Sequence, residues 1–254
     1  MNIKDRIVVV TGAAGGIGGA LARAFAARGA RRVVCTDLEQ QSLEALANEI
    51  NGLAVTADVS KEAEIARLVN HVEQEIGGID IFCSNAGVLT LGGVETADTE
   101  WQRTWDVNVM SHVWAARHVV PRMIARGGGY LLNTASAAGL LNQIGAAPYG
   151  VTKHAAVGLA EWLSITYGDR GIGVSVLCPQ AVQTEMIRGH ETSVAGLDGI
   201  LSPDAVAEFC MDAIEKEEFL ILPHEQVRDY MALKGTDYER WLSGMRKLRE
   251  RYAD

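Results

Sequence analysis

The chain has 254 residues, 48% of them hydrophobic and 6% aromatic, enough to bury a large core and consistent with one α/β domain over 1–254. Its formal net charge of −9 argues against nucleic acid and membrane as partners. The start, Met1-Asn2-Ile3-Lys4-Asp5-Arg6, enters a strand at once, and no run of about 18 or more apolar residues occurs, so a cytoplasmic location is expected.

Arg6 to Thr11 is a short apolar, β-branched run and reads as a buried strand. A glycine-rich turn leads into an Ala-rich helix over roughly 17–29, closed by Gly29. A second strand, 32–37, ends at Asp37, and a helix over about 40–50 follows. A third strand, 53–58, ends at Asp58, and a longer helix spans about 61–76. The fourth strand, 79–83, runs into Ser84-Asn85-Ala86-Gly87. One long helix is predicted from about 99 to 126, then a fifth strand at 130–134 ending near Ser136. A helix from Tyr149 to about Arg170 has Pro148 where a first turn tolerates it. The sixth strand, 173–178, stops at Pro179; a helix near 203–215, a seventh strand at 219–222 and a polar, Arg-rich helical tail over about 226–252 complete the pattern. Cys35, Cys83, Cys178 and Cys210 lack metal-site spacing and read as buried, reduced core thiols. No metal is expected.

Alternating strands and helices predict an α/β fold: a Rossmann-type, doubly wound sheet of about seven parallel strands with helices on both faces. Ligands bind such sheets at the carboxyl ends of the strands. Thr11, Asp37, Asp58, Asn85 and Ser136 all fall there. Glycines at 12, 16 and 18 would let a pyrophosphate approach the backbone and the following helix N-terminus. Asp37, about 20 residues on, is placed to accept from an adenosine ribose and to repel a 2′-phosphate. With no Arg or Lys in the turn or just after Asp37, NAD is expected over NADP. Asp58 with Val59 would bracket the adenine, although Ser60 makes a helix-capping role a competing reading for Asp58.

Tyr149 and Lys153 are four apart, so on a helix they share a face. A free Tyr titrates near 10, and reaching about 7 needs roughly three units, on the order of 4 kcal/mol. A neighbouring ammonium and the helix N-terminus both favour the phenolate. By itself a Tyr-x-x-x-Lys spacing more often belongs to packing and solvated residues than to a proton-transfer pair.

The chain resembles the short-chain dehydrogenase/reductase family over most of its length. The resemblance rests on Thr11-Gly12-x-x-x-Gly16-x-Gly18, Asn85-Ala86-Gly87, Asn108, Ser136, Tyr149-x-x-x-Lys153, and Pro179 followed by Thr184. It implies Tyr149 as general acid/base, Lys153 holding the nicotinamide ribose and lowering the Tyr149 pKa, Ser136 bonding the substrate oxygen, and Asn108 holding a water that links Lys153 to solvent. It implies cofactor contacts from Gly12, Gly15, Gly16, Ile17, Gly18, Asp37, Leu38, Asp58, Val59, Asn85, Ala86, Gly87, Tyr149, Lys153, Pro179, Val182 and Thr184. Gln180 departs from the family's usual Gly after the proline, and Ser84 from a common Asn.

The expected function is interconversion of a small secondary alcohol and its ketone with NAD. The alternatives are an NADPH-dependent 3-oxoacyl-type reductase, against which Asp37 speaks, and a non-catalytic dinucleotide sensor, against which the Asn108, Ser136, Tyr149 and Lys153 set speaks. Residues 185–201 are expected as a substrate lid, with a surface helix and loop the alternative. Leu89, Leu140, Leu141, Gln143 and Ile144 are expected near a partly apolar pocket. Trp105, Val109, Ala116, Val120 and Met123 form an apolar stripe on the long helix, and the Tyr149 helix is apolar nearly all round. The family resemblance makes these two helices the interface of a homodimer or homotetramer, with plain core packing the alternative.

Overall fold

Apolar residues alternate between two cores along the central strands, and that alternation sets the architecture. The structure, a computed structural model, describes residues 1–189 and 193–252. Strand β1 (Ile7–Thr11) sends Val8 and Val10 to one core and Ile7 and Val9 to the other, because successive strand side chains point opposite ways. Helix α1 (Gly16–Ala27), β2 (Arg32–Thr36), α2 (Gln40–Glu49), β3 (Leu53–Ala54), α3 (Glu62–Glu75) and β4 (Ile81–Ser84) follow. Next come α4 (Asp98–Trp105), a π-helical turn (Asp106–Met110), α5 (Ser111–Ala125), β5 (Gly129–Thr134), α6 (Ala138–Leu141), α7 (Ala147–Tyr167) and β6 (Ile172–Leu177). The remaining described elements are α8 (Pro203–Lys216), β7 (Leu220–Ile221), α9 (Gln226–Thr236) and α10 (Tyr238–Tyr252).

All seven strands are parallel, in the order β3-β2-β1-β4-β5-β6-β7. This is the Rossmann-type sheet that the element pattern predicts. One face carries α1 and α8, with Leu21, Phe25, Met211 and Ile214 in its core. The other carries α3, α5 and α7, with Leu68, Val72, Val119, Met123 and Ala160. Strand order reverses between β1 and β4, so the chain leaves them in opposite directions and opens a crevice at their carboxyl ends. The glycine turn after β1 and Asn85 after β4 flank that crevice. No described helix is long and apolar enough to cross a membrane.

The elements depart from expectation where backbone geometry overrides the apolar pattern. Strand β3 is two residues, not 53–58, because it lies at the sheet edge and pairs only with β2. Beyond it Val55 and Ala57 still donate to the carbonyls of Cys35 (2.9 Å) and Asp37 (3.1 Å). The helix expected over 99–126 is interrupted by the π turn at 106–110. Its wider i→i+5 turn shifts the phase of the helix. Trp105 therefore leaves the stripe and is 37% exposed, while Val109, Ala116, Val120 and Met123 are buried. Helix α7 begins at Ala147, before Tyr149, and ends at Tyr167; residues 168–170 tighten into a 3-10 turn. The tail is two helices, broken at Asp237, whose φ of −146° is extended. The segment expected as a lid holds two short 3-10 turns, Glu185–Ile187 and Val194–Gly196; its residues 190–192 lie outside the described ones.

Candidate active site

The glycine turn is built by close approach. Gly12 has φ +67°, and a Cβ there would lie 2.8 Å from Ala86 Cα; a Cβ on Gly18 would collide with the Gly12 carbonyl. Gly15 differs: its backbone is extended and nothing lies within 4 Å of where its Cβ would point. It caps α1 without a side-chain hydrogen bond, which leaves the first N–H groups of that helix free to meet an anion. Asp37 lies at the rim of this cradle. Its carboxylate accepts from the N–H groups of Ala14 (3.0 Å) and Leu38 (2.7 Å) and keeps lone pairs for a hydroxyl donor. Asp58 is engaged locally: it accepts from Ser60 N (3.0 Å) and Ser60 Oγ (2.6 Å) and pairs with Lys61 at 3.1 Å. The open glycine edge, the free helix N-terminus and the acceptor at its rim fit a dinucleotide.

Asn85 ties the strand ends together. Its Nδ2 donates to Thr11 O (3.0 Å) and its Oδ1 accepts from Thr134 Oγ1 (3.0 Å), which links the ends of β1 and β5. Asn108 is placed by the π turn. Its carboxamide accepts from Val88 N and donates to Val88 O, both at 2.9 Å, and also donates to Thr152 Oγ1 at 3.1 Å. The side chain is thus a strut between the segment after Gly87 and α7. At Gly87 a Cβ would meet Asn108 Oδ1 and Lys153 Nζ only at ordinary contact distance, 3.4 Å.

Lys153 is only 2% exposed. Its Nζ donates to Thr134 O at 3.0 Å and stands 5.6 Å from the centre of the Tyr149 ring. Burial brings its pKa down to about 8. Burial also pushes the Tyr149 phenol up, against the pull of the Ser136 hydroxyl. The lowered Tyr149 pKa that the four-residue spacing predicts is therefore absent in the chain alone. Both groups are desolvated, and burial disfavours the charged form of each. Ser136 Oγ accepts from Ala138 N (3.1 Å) and donates to Pro179 O (3.3 Å). His112, in the core behind this wall, is pushed down to about 3 by burial and then by the Lys153 charge.

These residues share one cleft of about 1380 Å³, larger than the roughly 300–1,000 Å³ of a typical ligand pocket. Gly12, Gly15, Gly16, Ile17, Asp37, Leu38, Asp58, Val59, Asn85, Ala86 and Gly87 line one part. Ser136, Tyr149, Lys153, Pro179, Val182 and Thr184 line another. Gly18 and Asn108 do not line it; they act behind the wall. Of the residues expected near the pocket, Leu89, Leu141, Gln143 and Ile144 line the cleft, while Leu140 packs into the core instead. Sequence reasoning missed the contribution of the C-terminal helices: Tyr230, Leu233, Trp241, Met245 and Leu248 close the far side. The signal was present as an apolar stripe, Trp241, Met245 and Leu248, on an otherwise basic helix.

The family profile described as short chain dehydrogenase matches residues 6–194. The chain belongs to the short-chain dehydrogenase family. As a member it is an oxidoreductase of a family that binds nicotinamide dinucleotides and acts on small molecules. This short-chain dehydrogenase is 35% identical over 238 residues to 1-deoxy-11-beta-hydroxypentalenate dehydrogenase of Streptomyces exfoliatus, covering 90% of this chain and 86% of the relative. It is 34% identical over 193 residues to meso-2,3-butanediol dehydrogenase of Serratia marcescens, covering 74% and 76%. Among solved structures it resembles a Burkholderia phymatum short-chain dehydrogenase/reductase in complex with NAD, with TM-score 0.88, 27% identity and 94% and 96% coverage. It also resembles a Sphingobium yanoikuyae short-chain dehydrogenase in complex with NADPH, with TM-score 0.80, 26% identity and 94% and 95% coverage.

Proposed function

We propose that this dehydrogenase interconverts a secondary alcohol and its ketone with NAD, as a single catalytic unit over 1–254. The observation that carries the reading is the convergence of Ser136, Tyr149 and Lys153 on one wall of the cleft whose other end is the glycine cradle with Asp37. Two relatives carry the names of alcohol dehydrogenases, for a butanediol and a hydroxypentalenate. Gly12, Gly15, Gly16, Ile17 and Gly18 form the cradle for the pyrophosphate. Asp37 with Leu38 receives the adenosine ribose, Asp58 and Val59 flank the adenine, and Asn85, Ala86, Gly87, Pro179, Val182 and Thr184 shape the nicotinamide end. When bound, oxidised NAD would supply the hydride acceptor.

Tyr149 takes the proton from the alcohol oxygen in oxidation and returns it in reduction. Ser136 Oγ holds the same oxygen, and its own orientation is fixed by Pro179 O and Ala138 N. Lys153 holds the nicotinamide ribose hydroxyls and adds positive charge near the phenol, opposing the upward push of burial. Asn108 keeps α7 in register with the segment after Gly87 and, through the carbonyls that a π turn releases, helps hold a water leading from Lys153 to solvent. Asp37 favours NAD, since no cation lines the cleft beside it among the described residues.

A panel of secondary alcohols with NAD, read as absorbance of the reduced cofactor, tests the proposal. Reduced NAD must accumulate with at least one alcohol, and its rate must fall by at least about 10²-fold in Tyr149→Phe. A panel oxidised only with NADP would remove the cofactor assignment, and near-normal turnover in the Phe variant would remove the catalytic one.

A further inference from the structure

Helices α9 and α10 are fastened to the wall that carries Ser136. A small apolar cluster joins Ala137 and Leu141 to Val227, with Met231 and Trp241 packed against it. Lys234 donates to the Leu140 carbonyl at 2.5 Å. This lays one face of α10 along the cleft: Arg240, Trp241, Met245, Lys247 and Leu248 all line it. Arg240 and Lys247 are two helical turns apart, so they share that face, about 10 Å from each other along the axis.

Neither cation has a carboxylate at ion-pair distance among the described residues. From α4, Arg103 also lines the cleft, and it meets only Glu100 of its own helix, at 3.6 Å. Of the acids lining the cleft, Glu185 pairs with Arg188 and Asp198 accepts from Tyr230 Oη at 3.0 Å, while Asp237, one turn before Arg240, accepts from its backbone N–H at 2.9 Å. A chain with net charge −9 thus places Arg103, Arg240 and Lys247, besides the buried Lys153, on the lining of the cleft. Arg240 and Lys247 are exposed at the edge of the cleft, so their attraction for a carboxylate acts over about a Debye length and is weakened by salt.

We infer that the substrate is an amphipathic alcohol, whose apolar body fills the cleft and whose carboxylate, remote from the reacting carbon, is received by Arg240 and Lys247. The word alcohol rests on the dehydrogenase reading above; the anion site does not. Ricinoleate, a secondary alcohol with a terminal carboxylate, and its methyl ester serve as the probe pair. Their binding to the full chain is measured by calorimetry at low and at high salt, and their oxidation is followed separately. The acid is expected to bind at least about tenfold more tightly than the ester at low salt, with the advantage shrinking as salt screens the cations. In Arg240→Gln/Lys247→Gln the acid-to-ester ratio should fall toward one. In Arg240→Lys/Lys247→Arg, which keeps both charges, the ratio should survive.

Equal binding of acid and ester by the wild type overturns the inference. So does an unchanged ratio in the Gln variant, including the case where that variant loses NAD affinity instead, which would assign the cations to the cofactor phosphates. Loss of the ratio in the charge-keeping variant overturns it as well. Acid that binds preferentially but is not oxidised with NAD counts against the dehydrogenase reading while leaving the anion site standing.

Discussion

The backbone N–H of Gln180 donates to His224 Nδ1 across 3.2 Å. That bond joins the turn after Pro179, whose carbonyl orients Ser136, to the segment that leads into α9. Since Nδ1 accepts here, His224 is neutral and its proton sits on Nε2. Burial holds its pKa below the ordinary histidine value, against the carbonyls of Gly199 and Ala181 and the Asp198 carboxylate, which favour the charged form. Gln180 stands where the family usually has glycine, and this contact gives its backbone a fixed place.

Acid should loosen this joint. Above about pH 6.5 histidine is neutral in folded and unfolded chains alike. As pH falls below that, the unfolded chain takes up the proton first, so stability is lost progressively until the pH passes below the folded value. His112, held at about 3, contributes in the same direction. His224→Asn keeps an acceptor for Gln180 and cannot titrate, so its melting temperature should decline less steeply between about pH 6.5 and 5. Melting curves of the two proteins against pH decide this, and superimposable profiles would remove His224 from the account.

Tyr149→Phe keeps the ring in the cleft and deletes the proton carrier. A fall in kcat of at least about 10²-fold is expected, the usual scale of a general acid–base contribution. NAD titration should give nearly the wild-type affinity, since the ring remains. Near-normal turnover by the Phe variant would mean that another group moves the proton.

Lys153 should make cofactor binding depend on pH. Its pKa of about 8 means that the positive charge is present below that pH and lost as pH rises through it. NAD affinity of the wild type should therefore weaken from about pH 7 to 9, the window set by that value and one unit either side. Lys153→Met should bind NAD more weakly at neutral pH and show little change across the same range. An equal slope in both proteins would place the titrating group elsewhere.

Much of the glycine-turn end of the cleft was legible because its signals are local. A glycine turn between a strand and a helix, and an acid at the next strand end, follow from residues adjacent in sequence. Ser136, Tyr149 and Lys153 fall on one cleft wall because β5 and α7 place them there, and the parallel sheet follows from alternation alone. The π turn was not legible: the apolar period continues through 106–110, and only the hydrogen-bond pattern reveals the extra residue. Nor was α10. Its stripe of Trp241, Met245 and Leu248 says that one face is covered, not that the cover is the wall carrying Ser136. The His224 contact depends on where β7 delivers the chain after residue 221, which no local pattern encodes.

Trp162 and Ile165 on α7 are 52% and 83% exposed, and Trp105 joins them as an exposed apolar residue from α4. Exposed large apolar side chains on α7 are what a homodimer or homotetramer would cover, in preference to plain packing. Light scattering at micromolar concentration should report a multiple of the 27.3 kDa chain, and Trp162→Glu/Ile165→Glu should shift it toward monomer. A wild-type monomer would refute the oligomer.

The last expectation concerns cofactor choice and hangs on Asp37. Each charged hydrogen bond from a ribose hydroxyl to its carboxylate contributes roughly 1.5–3 kcal/mol. With NADP the donor is replaced by a phosphate of the same sign, so the bond is lost and repulsion is added. Loss of one such bond gives about 10- to 150-fold discrimination, so kcat/KM for NAD should exceed that for NADP by at least about 10²-fold. Asp37 also holds the glycine turn through Ala14 N–H and Leu38 N–H, so Asp37→Ala should narrow the gap mainly by weakening NAD. It should not create a strong NADP enzyme. The cations lining the cleft are Arg103, Lys153, Arg240 and Lys247, none of them on the β2–α2 connection that carries Asp37. Lys61 is paired with Asp58. Leu38, 66% exposed and lining the cleft, is the position from which a cation would reach a 2′-phosphate. Asp37→Ala/Leu38→Arg should therefore gain on NADP by about tenfold or more over Asp37→Ala, the scale of one charged contact. Steady-state kinetics with both cofactors on the three proteins settle the matter: a wild type that prefers NADP would overturn the assignment of the ribose site, and an Arg variant that gains nothing would show that the phosphate lies elsewhere.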